Sequence, residues 1–133
     1  MKIKNQIKLQ GNISAHYDDE ITRSAWDQST SRSKKCYSVP LLIIPPWINK
    51  FYILDLKHEN SFIQFCLKKN LSVFVISWVN PGTEHKNVSF EDYIDKGLLK
   101  AADIIKRYCR QDQINTIGYC IGGTLLASTL AYL

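Results

Sequence analysis

The stretch that most constrains this chain is Ile114-Asn115-Thr116-Ile117-Gly118-Tyr119-Cys120-Ile121-Gly122-Gly123-Thr124. Its β-branched opening reads as a strand, Gly-x-Cys-x-Gly-Gly as a tight turn, and the Ala- and Leu-rich remainder to Leu133 as a helix. Strand, glycine turn and helix are the setting of a nucleophile elbow, with Cys120 where the serine would stand. Gly118 and Gly122 fit that reading, because a strained turn leaves no room for side chains two positions either side of the nucleophile. Two blander readings compete. Ile114 to Leu133 carries no charged residue, which suits a membrane span, and Gly118 with Gly122 has the Gly-x-x-x-Gly spacing of packed spans. Three glycines and Asn115 interrupt the run, and no Lys or Arg closes it, so no membrane span is expected. Cys120 could also be a small buried apolar residue, the usual fate of a cysteine. The flanking glycines favour the elbow.

Upstream, Pro40-Leu41-Leu42-Ile43-Ile44 is a continuous apolar run of strand length, the mark of a strand buried on both faces. Pro45 and Pro46 end it, since neither can donate to a ladder. Residues 59–69 read as a short helix with Phe62, Ile63, Cys66 and Leu67 on one face and Asn70 as its stop. Val73 to Trp78 is a second continuous apolar strand, and Asn80-Pro81-Gly82 a turn. Ser89 with Asp92 makes a capping box that opens a helix to about Tyr108. The stripe expected to be buried is Ile94, Leu98, Ala101, Ala102, Ile105 and Tyr108. The alternation of strand and helix predicts an α/β fold, a parallel sheet with helices on both faces, over residues 39–133. Residues 1–38 form an N-terminal arm, loop-rich or disordered, in which Met1 to Leu9 reads as a short edge strand or a solvated arm. The last strand is expected at a sheet edge, leaving Leu125, Leu126, Leu130 and Leu133 partly exposed.

At 133 residues the chain is one domain at most. Cys36, Cys66, Cys109 and Cys120 show no Cys-x-x-Cys spacing and no nearby histidine cluster, so no metal and no disulfide framework is expected. Reduced thiols and a cytoplasmic location follow as the default. The net charge of +5 comes from scattered Lys and Arg, which suits a solvated basic face better than a polyanion site. No aromatic-interleaved basic stripe points to nucleic acid.

In such a sheet, chemistry gathers at the carboxyl ends of the strands. Cys120, opening the last helix, feels the positive end of its dipole, which favours the thiolate. The backbone N–H of Ile121 is the natural first donor of an oxyanion hole. Pro45 and Pro46 have no N–H, so Trp47 or Ile48 is the earliest residue after the first apolar strand that could supply the second. For Trp47, plain loop packing is an equal reading. A thiolate attacking a thioester makes another thioester and conserves acyl-transfer potential. Cysteine in this place therefore suggests acyl transfer from a thioester more than ester hydrolysis.

Pro40-Leu41-Leu42-Ile43-Ile44-Pro45-Pro46-Trp47-Ile48-Asn49-Lys50-Phe51-Tyr52-Ile53-Leu54-Asp55-Leu56 resembles the signature of poly(3-hydroxyalkanoate) synthases, the poly(3-hydroxybutyrate) polymerases. Glu59-Asn60-Ser61-Phe62, Val73 to Pro81, Phe90-Glu91-Asp92-Tyr93 and Gly118 to Thr124 match in the same order, most like the short-chain-length type. The resemblance implies an α/β-hydrolase-type domain that polymerises (R)-3-hydroxyacyl-CoA with release of CoA, with Cys120 as the acylated nucleophile. CoA thioester is then the substrate, no cofactor is implied, and storage granules of polymer are an expected partner. The family's catalytic Asp and His follow the nucleophile, whereas here no Asp or His follows Cys120 and His16, His58 and His85 all precede it. The expectation is thus a fragment ending just after the elbow, inactive alone, with a second synthase fragment or subunit supplying Asp and His. The alternatives are a non-catalytic remnant that binds a synthase or granule, and a cysteine thioesterase with His85 as base.

Overall fold

The computed structural model describes residues 7–11, 37–49, 51–78 and 82–133. Strands β1 (Ile7–Gly11), β2 (Leu41–Ile44), β3 (Val73–Trp78) and β4 (Asn115–Gly118) form one sheet in the order β1-β3-β2-β4. The pairs β2–β3 and β2–β4 are parallel, and β1 runs antiparallel to β3 with Ile7 opposite Trp78 and Gly11 opposite Phe74. The expected α/β pattern of a parallel sheet with helices is present, and β1 adds an antiparallel edge to it. The serine-rich stretch from His16 to Lys35 lies outside the described residues.

The apolar runs of β2 and β3 are buried because each face of the sheet has its own helical cover. On one face Leu42, Ile44, Phe74 and Ile76 pack with Ile94, Leu98, Ala101, Ile105 and Leu125. On the other, Leu41, Ile43, Val73 and Val75 pack with Cys66. The second cover is α1 (Phe62–Lys68), capped by Ser61, whose hydroxyl accepts from the Gln64 N–H at 2.9 Å. Two 3₁₀ turns, Phe51–Leu54 and His58–Asn60, precede it, so the expected helix starts later than residue 59. Asn70 ends it with φ of 61°, the left-handed conformation that Asn tolerates.

The first cover is α2, which runs through Phe90–Asp92, a π-helical stretch Tyr93–Leu99 and Lys100–Cys109. Ser89 and Asp92 form the expected capping box. Ile94, Leu98, Ala101 and Ile105 are buried as expected, but Ala102 is half-buried and Tyr108 is 55% exposed.

Helix α3 (Ile121–Tyr132) lies on the same face as α2 through Leu125, which is fully buried rather than partly exposed, while Leu130 and Leu133 are exposed as expected. Strand β4 is at the sheet edge. No helix among the described residues is long and apolar enough to cross a membrane.

Candidate active site

Adjacent strands β2 and β4 are followed by helices on opposite faces, α1 after β2 and α3 after β4. Such a divergence marks the carboxyl ends of the two strands as the place where α/β sheets bind ligands. Cys120 sits at that end, exposed, between the last residue of β4 and the first turn of α3. A shallow depression of about 350 Å³ lined by Tyr37, Ser38, Val39, Leu71 and Asn115 lies at the other, amino-terminal end of the strands, and none of its residues is a candidate from the sequence.

The turn itself is closed by the Gly122 N–H donating to the Tyr119 carbonyl at 3.0 Å. Cys120 stands at its first central position with φ 56° and ψ −128°, values of a type II′ turn, where glycine is the ordinary occupant. A cysteine kept in a glycine conformation is strain, and strain of this kind gathers at functional sites. The glycines around it answer to close approaches. A Cβ on Gly118 would lie 2.5 Å from the Gly123 Cα, and one on Gly122 would overlap the Ile44 carbonyl oxygen at the end of β2. That same carbonyl accepts the Tyr119 N–H at 3.0 Å. The turn is therefore pressed against the residue from which the β2 loop departs.

The Gly123 N–H donates to the Cys120 carbonyl at 2.8 Å, whereas the Ile121 N–H meets no acceptor among the described residues. After β2, Pro45 and Pro46 are buried and the chain turns at Trp47 and Ile48, with the Asn49 N–H reaching the Pro46 carbonyl at 3.4 Å. That closure does not use the Trp47 or Ile48 N–H. The Ile48 side chain is 68% exposed. The Trp47 ring stacks on Tyr93 with centroids 4.7 Å apart and meets Trp78 and Phe90 edge-on at 6.4 and 6.1 Å. Loop packing thus accounts for the Trp47 side chain, leaving its backbone as the candidate donor. Burial raises the pKa of the Tyr93 hydroxyl, so it stays protonated at neutral pH beside the indole.

Cys36 lies outside the described residues, and the two other described thiols sit elsewhere. Cys66 is the buried residue of α1 and Cys109 closes α2, and burial pushes the pKa of each upward, away from the reactive thiolate. His85 belongs to the 3₁₀ turn Thr83–His85, where its Nδ1 accepts the Gly82 N–H at 2.9 Å. In a triad the histidine Nδ1 instead donates to a carboxylate, an arrangement unlike this one.

The sequence reading did not single out Trp78, Tyr93 or Gly97, which carry the aromatic bracket around the β2 loop. A glycine inside an otherwise good helix was the available sign, since it marks a close approach. At Gly97 a Cβ would stand 3.0 Å from two atoms of the Trp78 ring.

Residues 27–66 match the family described as "Poly-beta-hydroxybutyrate polymerase (PhaC) N-terminus". The chain is 54% identical over 92 residues to "Poly(3-hydroxyalkanoate) polymerase subunit PhaC" of Rhizobium meliloti, covering 69% of this chain and 15% of that protein. It is 52% identical over 93 residues to "Poly(3-hydroxyalkanoate) polymerase" of Methylorubrum extorquens, covering 70% and 15% respectively. For the PhaC subunit of Cupriavidus necator the identity is 38% over 99 residues, covering 74% of this chain and 17% of that protein. The matched part therefore amounts to about a sixth of these relatives' length.

Proposed function

As a sequence relative of the poly(3-hydroxyalkanoate) polymerases, this chain carries, we propose, the nucleophile and oxyanion donors of an acyltransferase that takes acyl groups from (R)-3-hydroxyacyl-CoA. The domain is then the first part of an α/β-hydrolase-type fold, acting at storage granules in the cytoplasm. The observation that carries the reading is Cys120, held exposed at φ 56° at the start of α3 beside the β2 loop. The Cys120 sulfur attacks the thioester carbonyl carbon, and the carbonyl electron pair moves onto its oxygen. The N–H of Ile121, with that of Trp47 or Ile48, receives this oxyanion; each such donor stabilises the transition state by about 3 kcal/mol. Collapse breaks the bond to CoA sulfur, which leaves as thiolate and takes up the proton that Cys120 released. The acyl group stays activated on Cys120 for attack by the hydroxyl of another hydroxyacyl unit.

That second step needs a base, and none of the residues after Cys120 is Asp or His. Turnover then depends on Asp and His brought from outside these 133 residues. Loss of one triad member lowers turnover by up to about a millionfold, while binding and oxyanion donors retain about a thousandfold over water. Slow stoichiometric acylation without polymer is the expected behaviour of the purified chain. Incubation with (R)-3-hydroxybutyryl-CoA and mass mapping of the adduct tests this, with Cys120→Ala as control. Acylation of Cys120 no faster than of Cys36, Cys66 and Cys109 would refute the functional reading and leave a non-catalytic binding role. Sustained CoA release with polymer would refute the need for an outside base.

A further inference from the structure

We propose that Trp78 is a positioning residue, which latches the loop after β2 so that its backbone N–H groups face the oxygen of an acyl group on Cys120. The inference rests on the acyl-transfer reading above. Trp78 is the last residue of β3, and its indole Nε1–H donates to the Pro45 carbonyl at 2.8 Å. Pairing of β2 ends at Ile44. Pro45 and Pro46 have no N–H to offer, so the Pro45 carbonyl is the first group beyond the ladder by which the loop can be held. One peptide further on is the Trp47 N–H.

The latch is itself braced. Gly97 lets the indole lie against the backbone of the π-helical stretch, where a Cβ would stand 3.0 Å from the six-membered ring. Trp47 is held in turn by its stack on Tyr93 and its edge contacts with Trp78 and Phe90. Trp78 also meets Tyr93 at 5.4 Å, so hydrogen bond and ring contacts act on one short loop. Oxyanion donors are effective only when oriented before the charge develops. A phenylalanine at 78 keeps a ring against Gly97 but releases the Pro45 carbonyl.

The test uses two reagents on the whole chain. Acylation of Cys120 by (R)-3-hydroxybutyryl-CoA develops an oxyanion, whereas alkylation by iodoacetamide is a displacement at a saturated carbon and develops none. Trp78→Phe is expected to slow the saturating rate of acylation by about tenfold or more. Its half-saturating concentration and the alkylation rate are expected to stay within about twofold of the wild type. Equal acylation in variant and wild type overturns the latch, and so does a parallel fall of acylation and alkylation, which marks a general loosening of the elbow. An independent measurement needs no variant: the Trp78 indole N–H is expected to exchange with solvent much more slowly than an exposed indole, and rapid exchange overturns the hydrogen bond. Should wild-type Cys120 itself fail to acylate ahead of Cys36, Cys66 and Cys109, the functional reading falls, and this inference with it.

Discussion

Cys120, Asn70 and Arg110 are the described non-glycine residues with positive φ, and they reach it for different reasons. Asn70 and Arg110 follow helix ends, where a single left-handed residue satisfies the last carbonyls. Cys120, with ψ of −128°, lies outside that basin in a conformation suited to glycine. Relief of the strain by Cys120→Gly outweighs the entropy that glycine adds to the unfolded chain, giving a net gain of about 1 kcal/mol. Cys120→Ala keeps the strain and is expected to unfold at the wild-type denaturant concentration. Equal midpoints for the Gly and Ala variants would show that the turn is not strained. Gly122→Ala runs the other way, because its Cβ would overlap the Ile44 carbonyl. It is expected to lower stability by about 3 kcal/mol, read from the same denaturant curves. Both glycines and the cysteine could be read in the sequence, since the motif states where side chains are forbidden. Which strand the turn presses against could not, because that depends on β4 pairing with β2 and not with β3.

At the scale of elements, β2 and β3 were legible because β2 is a purely apolar run, β3 is apolar but for Ser77, and each is bounded by residues that stop pairing or turn the chain. Helix α2 was legible at its start and less so in its middle. The Ser89 hydroxyl accepts the Asp92 N–H at 3.2 Å and the Asp92 carboxylate accepts the Ser89 N–H at 2.9 Å, as a capping box requires. Ser89→Ala is expected to cost about 1 kcal/mol of stability. Asp92 also pairs with Lys96, and the Lys96 hydrogen bond, followed by the Ser89 N–H, lowers the pKa of its carboxyl. A carboxyl whose folded value is depressed contributes fully above its unfolded value of about 3.9, and loses that contribution as pH falls through the lower folded value. Fraying of α2 in acid is therefore expected to begin only below about pH 4. Helicity followed by circular dichroism checks this, with Asp92→Asn expected to flatten that part of the curve. The π-helical stretch was not legible. A periodic stripe assumes one pitch throughout, and here the pitch changes where Gly97 admits Trp78. The contact between Gly97 and Trp78 joins two elements far apart in the chain, and sequence spacing within α2 does not carry it.

Seen as a whole molecule, the sheet is well covered at its centre and open on one side. Strand β4 forms the edge beyond β2, with Asn115, Thr116 and Ile117 exposed, and no strand among the described residues pairs with its outer side. In the register with β2, Ile117 stands opposite Ile43 and so lies on the α1 face, yet it remains 36% exposed. Beyond it, α3 leaves Leu130, Tyr132 and Leu133 exposed at 63%, 58% and 81%. An unpaired, uncharged strand edge next to apolar surface is a template for pairing with another chain. The chain studied alone is expected to self-associate as its concentration rises, and to unfold over a broad, concentration-dependent transition. Ile117→Lys places a charge on the edge without entering either core, so it is expected to reduce association while leaving the thermal midpoint of the dilute protein unchanged. Sedimentation velocity over a range of concentrations measures the first effect, and calorimetry of the dilute sample the second. A wild-type chain that stays monomeric when concentrated and unfolds in one sharp, concentration-independent transition would mean that the β4 edge is adequately protected as it stands. Association relieved by the charge would instead locate the contact between copies on the strand that leads into the Cys120 turn.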